Sequence, residues 1–313
     1  NNELGLPLTV FRLRDEDQIA VLEMGISDFG EMARLTKIAK PDTCVITNIG
    51  TCHLENLGDR DGVLKAKTEI FQSMKPNGHI VLNGDDDKLI TVREYNGVKP
   101  VFFGLNSERD VYADQIESKG LKGVACRIHL GEDAFDVLVP TPGIHMVYNA
   151  LAAAAVGRIY GLTIEEIRRG IESLETIRGR FKMIETDKFL VVDDCYNANP
   201  MSMKASLDVL HDGEGRRVAI LGDMGELGED EAALHEGVGI HAATCGIDAC
   251  VCVGDLAVHI AEAARKANPD FPVYYEKTRE SLLEHLNDYV QKGDTILVKA
   301  SHFMKFEEVV KAL

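Results

Sequence analysis

Paired cysteines, long apolar runs and clustered basic residues are all missing from this chain. Its seven cysteines form no C-x-x-C pair, and the closest spacing is Cys250-Val251-Cys252. An odd, unpatterned count points away from a disulfide framework and towards reduced thiols in a cytosolic protein. No apolar run reaches the length of a membrane span, and the start does not read as a signal peptide. Lysine and arginine total 34 against 51 acidic residues, a net charge of −17. Such a surface repels phosphate backbones, and no basic run is long enough to offset it, which disfavours nucleic-acid binding. The patterns G-x-S-x-G, H-E-x-x-H, EF-hand and Walker A are absent, as are repeats and low-complexity segments. The Gly-rich stretch Gly222 to Gly228 is spaced G-x-x-G-x-x-G rather than G-x-G-x-x-G. Its acidic residues would also repel a pyrophosphate, which removes the dehydrogenase reading.

What is present fits one large or two ordinary domains: 313 residues, 45% hydrophobic and 27% charged. The opening Asn1 to Pro7 reads as the interior of a domain, as in a fragment of a longer chain. Buried strands are predicted at Ile19–Met24, Cys44–Ile49 and His79–Leu82, with helices at Glu31–Ala39 and Asp61–Met74 between them. This βαβ alternation implies a mostly parallel sheet. Shorter alternating segments from Val101 to Val139 predict antiparallel strands added at its edge. Two helices follow, Ile144–Tyr160 and Ile164–Leu174, the first apolar almost all round and expected to be buried. Arg178-Gly179-Arg180 reads as a hinge. Beyond it, strands at 189–193, 217–221, 249–253, 272–275 and 295–299 alternate with helices, a compact Rossmann-like pattern. The expected domains are therefore 1–178 and 179–313.

The most informative stretch is Asp193-Asp194-Cys195-Tyr196-Asn197-Ala198-Asn199-Pro200. It follows the apolar run Phe189–Val192 and precedes an amphipathic segment, so it reads as a strand, a polar loop and a helix opened near Pro200. Open α/β sheets bind ligands at such points. The residues offer ribose acceptors, amide donors and a stacking face; a simple polar turn fits the segment too. Glu23, in Leu22-Glu23-Met24-Gly25, is placed to hold Mg²⁺ through oxygen or to face solvent at a strand end. His53 fits a metal ligand, a base or a capping residue, and Cys52-His53 is not zinc spacing. Asn48 would bind substrate or close a turn. Lys65 and Lys67 are two apart, so they lie on different helix faces. If one turns inward beside magnesium, it becomes useful by carrying CO₂ as a carbamate, which converts a cation into a carboxylate-like ligand. On this segment alone, two solvated lysines are the favoured reading.

Taken together, these segments resemble the Mur ligase family, ATP-dependent amide-forming enzymes of peptidoglycan synthesis. The resemblance spans essentially the whole chain. It rests on Asn1–Pro7, Leu22–Gly25, Thr47–Gly50 with His53, Lys65–Ile70, and Gly143-Ile144-His145 with Asn149. It continues through Gly179-Arg180-Phe181, Asp194–Pro200, Leu221–Met224 with Glu226–Gly228, and Lys299-Ala300-Ser301. The Tyr-Asn-Ala-Asn-Pro loop and the Gly-Asp-Met element favour the branch that joins D-alanyl-D-alanine to UDP-N-acetylmuramoyl-tripeptide. The resemblance implies a central P-loop-type mononucleotide-binding sheet domain, truncated at its N-terminus, followed by a C-terminal Rossmann-like domain. It further implies ATP and two magnesium ions: Glu23 holding one, His53 and carbamylated Lys67 serving the second. Asn149 would touch adenine or act as a helix-packing amide. Arg180 would reach ATP phosphate, and Asp194 would take the ribose hydroxyls. Tyr196 and Asn197 would flank the nucleotide, while Asn199 and Ser301 would line the dipeptide pocket.

His302 stands where Arg is expected in many relatives, which puts any role there in doubt. The family's P-loop would lie upstream of Asn1, so the chain alone is expected not to turn over. Two other readings stand beside this one: a folylpolyglutamate- or cyanophycin-type ligase, and a non-catalytic module that binds a nucleotide or partner. The Asn-Ala-Asn-Pro loop argues against the first. Glu23, His53 and Lys67 occurring together argue against the second. A monomer without a membrane span is expected.

Overall fold

An apolar run becomes a strand only where a neighbouring run completes its hydrogen-bond ladder, and this chain supplies both outcomes. The computed structural model describes residues 1–51 and 53–313; Cys52, considered above beside His53, lies outside the described residues. Packing divides the chain into two compact units. One is Asn1–Ile116 with Cys126–Val137 and Val147–Ile171; the other is Glu117–Ala125 with Leu138–Met146 and Glu172–Leu313.

The first half of the chain runs α1 (Gly5–Val10), α2 (Glu31–Ala39), β1 (Thr43–Ile46), α3 (Leu54–Leu57), α4 (Arg60–Thr68) and β2 (His79–Asn83). Then come β3 (Val101–Gly104), β4 (Val111–Ser118), β5 (Val124–Leu130), β6 (Asp133–Val139), α5 (Ile144–Ile159) and α6 (Ile164–Glu172). The six strands form one sheet in chain order. β1 to β4 pair in parallel. The connections β4–β5 and β5–β6 are too short for a crossover, so these strands form hairpins at the sheet edge. Ile46, Ile80 and Leu82 on the strands pack with Met32, Val63, Ala66 and Phe71 from α2, α4 and the turn after α4.

The strand predicted at Ile19–Met24 does not form. The segment has no regular structure, and Ile19 and Val21 are 71% and 93% exposed. The run is apolar enough, but among the described strands β1 ends the sheet and nothing continues the ladder beyond it. Glu23 therefore stands in an irregular segment rather than at a strand terminus.

The remainder comprises β7 (Lys182–Glu185), β8 (Leu190–Asp193), α7 (Pro200–His211), β9 (Arg217–Gly222), α8 (Glu231–Thr244) and β10 (Ala249–Val253). It ends with α9 (Ala257–Ala267), β11 (Val273–Glu276), α10 (Arg279–Tyr289), β12 (Thr295–Lys299) and α11 (Glu307–Ala312). Strand order is β11-β10-β9-β12-β8-β7, parallel throughout except for β7 against β8. Alternate residues feed opposite faces, as a doubly covered sheet requires. Val192, Ala219, Leu221, Cys250 and Cys252 face α7, α8 and α9. Val191, Val218, Ile220 and Val251 face α10 and α11. Burial pushes the Cys44 thiol up to about 12 and the Cys126 thiol up to about 11, and it raises Cys195, which also faces Asp193. Among the described residues, no helix is long and apolar enough to cross a membrane.

Candidate functional site

In the first unit the loop after β1 is knitted to the loop after β2. Asn83 donates its amide to the Thr47 carbonyl at 3.0 Å, and the Ile49 N–H donates to the Asp86 carboxylate at 2.8 Å. Arg60, in the first turn of α4, donates Nε to the Ile49 carbonyl at 3.0 Å and forks onto Asp87 at 2.5 and 3.0 Å. That ion pair holds the Asp87 carboxyl below its ordinary range. Asp59 opens α4 by accepting the Gly62 N–H at 2.8 Å. Any side chain at Gly62 would collide with the Leu57 carbonyl, 1.8 Å from a Cβ placed there.

This frame carries Asn48 and His53 on one loop and faces Lys67 onto it. Lys67 is half-buried and donates Nζ to the Asn48 carbonyl at 2.9 Å. Lys65 stays exposed, over the Phe29 ring at 5.3 Å. His53 is half-buried with φ 58°, and it opens α3 with its backbone rather than with a side-chain cap. The Asn48 side chain is exposed. Glu23 is 73% exposed. Among the described residues, no three His, Cys, Asp or Glu side chains gather as a metal site. Glu69, in the Lys65–Ile70 motif, caps α2 by accepting the N–H groups of Gly30 and Ala33. Asn149 lies on an exposed position of α5. Its neighbour Tyr148 donates to Asp85 at 3.2 Å, and burial followed by that carboxylate pushes the phenol up to about 12.

In the second unit the loops at the carboxyl ends of β8, β9, β10 and β12 come together. Gly179 donates to the Asp193 carboxylate at 3.0 Å and accepts the Tyr196 N–H at 3.0 Å, which fastens Arg180 beside the loop. The Arg180 guanidinium lies 4.1 Å from the Tyr196 ring centroid, a cation–π pair. Tyr196 in turn tilts against His302 at 5.5 Å. Asp194 accepts the Phe181 N–H at 3.2 Å, the Ser206 hydroxyl at 2.7 Å and the Lys299 ammonium at 2.6 Å. Lys299 also donates to the Asn197 carbonyl at 3.2 Å. Asn197 itself is exposed, and its amide oxygen accepts the Ala198 N–H. Asn199 caps α7 in a reciprocal arrangement with Ser202. Ser301 is 4% exposed; its hydroxyl accepts the Gly225 N–H at 2.9 Å and points at the Ala198 carbonyl at 3.5 Å.

Arg180 with Tyr196, Asp194 with Asn197 through Lys299, and Asn48 with Lys67 are thus joined, while Glu23 stands in an exposed, irregular segment. Sequence reasoning gave no role to Lys299, Ser206, Arg60, Asp86 or Glu69. A signal for Lys299 existed: it ends the buried run Thr295–Val298, and a lysine there needs a carboxylate partner.

Comparison with known proteins gives this geometry a family. Residues 1–157 match the Mur ligase middle domain and residues 179–302 the Mur ligase glutamate ligase domain. The UDP-N-acetylmuramoyl-tripeptide–D-alanyl-D-alanine ligase of Bacillus subtilis is 37% identical over 316 residues, covering 100% of this chain and 68% of its own. MurF from Acinetobacter baumannii superposes with a TM-score of 0.90 at 33% identity, over 99% of this chain and 68% of its own. The MurF ligase of Thermotoga maritima in complex with ADP gives 0.85 at 29% identity, over 100% and 70%. With both halves matched in order and its strands laid out as in those structures, the chain belongs to the Mur ligase family.

Proposed function

We propose that this chain belongs to an enzyme that carries out the ATP-dependent, ADP-forming addition of D-alanyl-D-alanine to UDP-N-acetylmuramoyl-tripeptide. The observation that carries the reading is similarity along the entire chain to ligases of that name, one of them described in complex with ADP. In this reading a carboxylate oxygen of the tripeptide attacks the γ-phosphorus of ATP. The bond from that phosphorus to the bridging oxygen breaks, giving an acyl phosphate and ADP. The amine of D-alanyl-D-alanine then attacks the acyl carbon, loses a proton, and phosphate leaves.

The donor set bears on the metal. Glu23 and His53 each offer one ligand atom, and among the described residues no three His, Cys, Asp or Glu side chains gather as a metal site. Lys67, turned onto the Asn48 loop, would offer a ligand oxygen only as a carbamate. Glu23 would hold one magnesium ion, and His53 with carbamylated Lys67 the other. When bound, magnesium would offset charge on the transferred phosphoryl group. Arg180, steadied on Tyr196, would meet phosphate oxygens, and Asp194 would meet the ribose. In the second unit Tyr196 and Asn197 would flank the nucleotide, and Asn199 and Ser301 would line the dipeptide pocket. In the first unit Asn149 would touch adenine and Asn48 would bind substrate.

The test is an acceptor panel on the full-length protein with ATP, magnesium and UDP-N-acetylmuramoyl-tripeptide. ADP should form in step with amide product when D-alanyl-D-alanine is supplied, and glutamate should be refused. Glutamate accepted in place of the dipeptide would overturn the assignment.

A further inference from the structure

His235 lies in the first turns of α8 and is fully buried, yet neither ring nitrogen is idle. Nδ1 is 2.6 Å from the Glu231 carbonyl, which can only accept, so Nδ1 carries the hydrogen. Nε2 is then a lone pair, and it accepts the Met224 N–H at 2.9 Å. One tautomer of a neutral imidazole satisfies both bonds. Met224 begins the loop whose next N–H, from Gly225, donates to the Ser301 hydroxyl. The same loop is tied down twice more. The Asp223 carbonyl accepts the Ser301 N–H at 3.0 Å, and the Asp223 carboxylate accepts the N–H groups of Leu256 and Ala257. That last contact requires glycine at 254, where φ is +126° and a Cβ would lie 2.3 Å from the carboxylate.

We infer that His235 is a positioning residue for the amine-acceptor end of the site, setting the 223–228 loop against Ser301 through the Met224 N–H. The inference rests on the reading of Ser301 as a residue of the dipeptide pocket. Protonation at Nε2 would place a hydrogen against the Met224 N–H, and the loop would lose its fastening. Burial lowers the imidazole's proton affinity and keeps it neutral, while the Glu231 carbonyl, the Asp223 and Glu231 charges oppose this and His259 assists it.

The experiment measures KM for D-alanyl-D-alanine and for ATP in the full-length protein, across about pH 5 to 8. Variants His235→Leu, His235→Gln and Ser301→Ala are compared with the unaltered protein. His235→Leu should raise KM for the dipeptide by about 10–100-fold, the usual penalty for losing a group that orients a ligand contact, with KM for ATP within about twofold. His235→Gln, whose amide oxygen can take the place of Nε2, should recover most of that loss. The dipeptide's own α-amino group is protonated below about pH 8 and raises its KM on acidification in every variant. The unaltered protein's KM should rise more steeply than that, and His235→Gln should leave only the rise due to the amine. Equal effects on both KM values, or an unchanged dipeptide KM in His235→Leu beside a raised one in Ser301→Ala, would overturn the inference. An unchanged dipeptide KM in Ser301→Ala would instead remove the pocket reading beneath it. Should His235→Leu fail to fold, the difference in steepness between the acid limbs of the unaltered protein and His235→Gln decides the matter, and identical limbs would overturn the inference.

Discussion

Replacing Lys299 by Met should cost about 3–5 kcal/mol of unfolding free energy, the range for removing one partner of a buried ion pair. The Lys299 side chain is 3% exposed and that of Asp194 is 14% exposed. Without the ammonium, the carboxylate stays buried and negative, held by the Ser206 hydroxyl and the Phe181 N–H, neither of which carries a charge. The Asn197 carbonyl loses a donor as well. Denaturant unfolding, with its slope unchanged, measures the loss. Adding Asp194→Asn to Lys299→Met should recover a large part of it, because the unpaired charge goes too. A loss below about 1 kcal/mol in the single variant would mean that the pair is solvated, and the burial argument would fail.

The second large effect concerns chemistry rather than folding. Lys67→Ala should lower kcat for amide formation by about 10²–10³-fold, about 3–4 kcal/mol of transition-state stabilisation. The fold should survive, since Lys67 is only half-buried and donates to a loop carbonyl rather than into a core cluster. Lys67→Arg should be as inactive, because a guanidinium does not take up CO₂. With ¹³C-labelled bicarbonate, the unaltered protein should show a carbamate carbonyl resonance that Lys67→Ala lacks. A Lys67→Arg variant with near-normal kcat would show that charge alone suffices and that no carbamate is needed.

Much of the second sheet was legible because a doubly covered parallel strand is written as an unbroken apolar run. Ala249–Val253 and Thr295–Lys299 have the expected bounds, and the others differ by a residue. β7 was missed because Lys182-Met183-Ile184-Glu185 has no such run; only its pairing with β8 makes it a strand. Ile19–Met24 erred in the opposite direction, an apolar run with no ladder. At the site, helical spacing established that Lys65 and Lys67 diverge, but not which one turns inward; the Asn48 carbonyl decides that. Asp194 was visible as a polar loop residue, whereas its partner Lys299 is 105 positions away. His235 gave no local signal at all, since a lone histidine in a helix acquires meaning only from the loop folded over it.

Cys250 and Cys252, side by side on β10 with their sulfurs 3.6 Å apart, make the second unit its own stopwatch. Both are sealed from water, and Cys250 is held firmly as the thiol. An alkylating reagent therefore meets them only when the helices packed over that face of the sheet lift away, so the rate of their labelling in native buffer counts openings of this core without any dye or engineered probe.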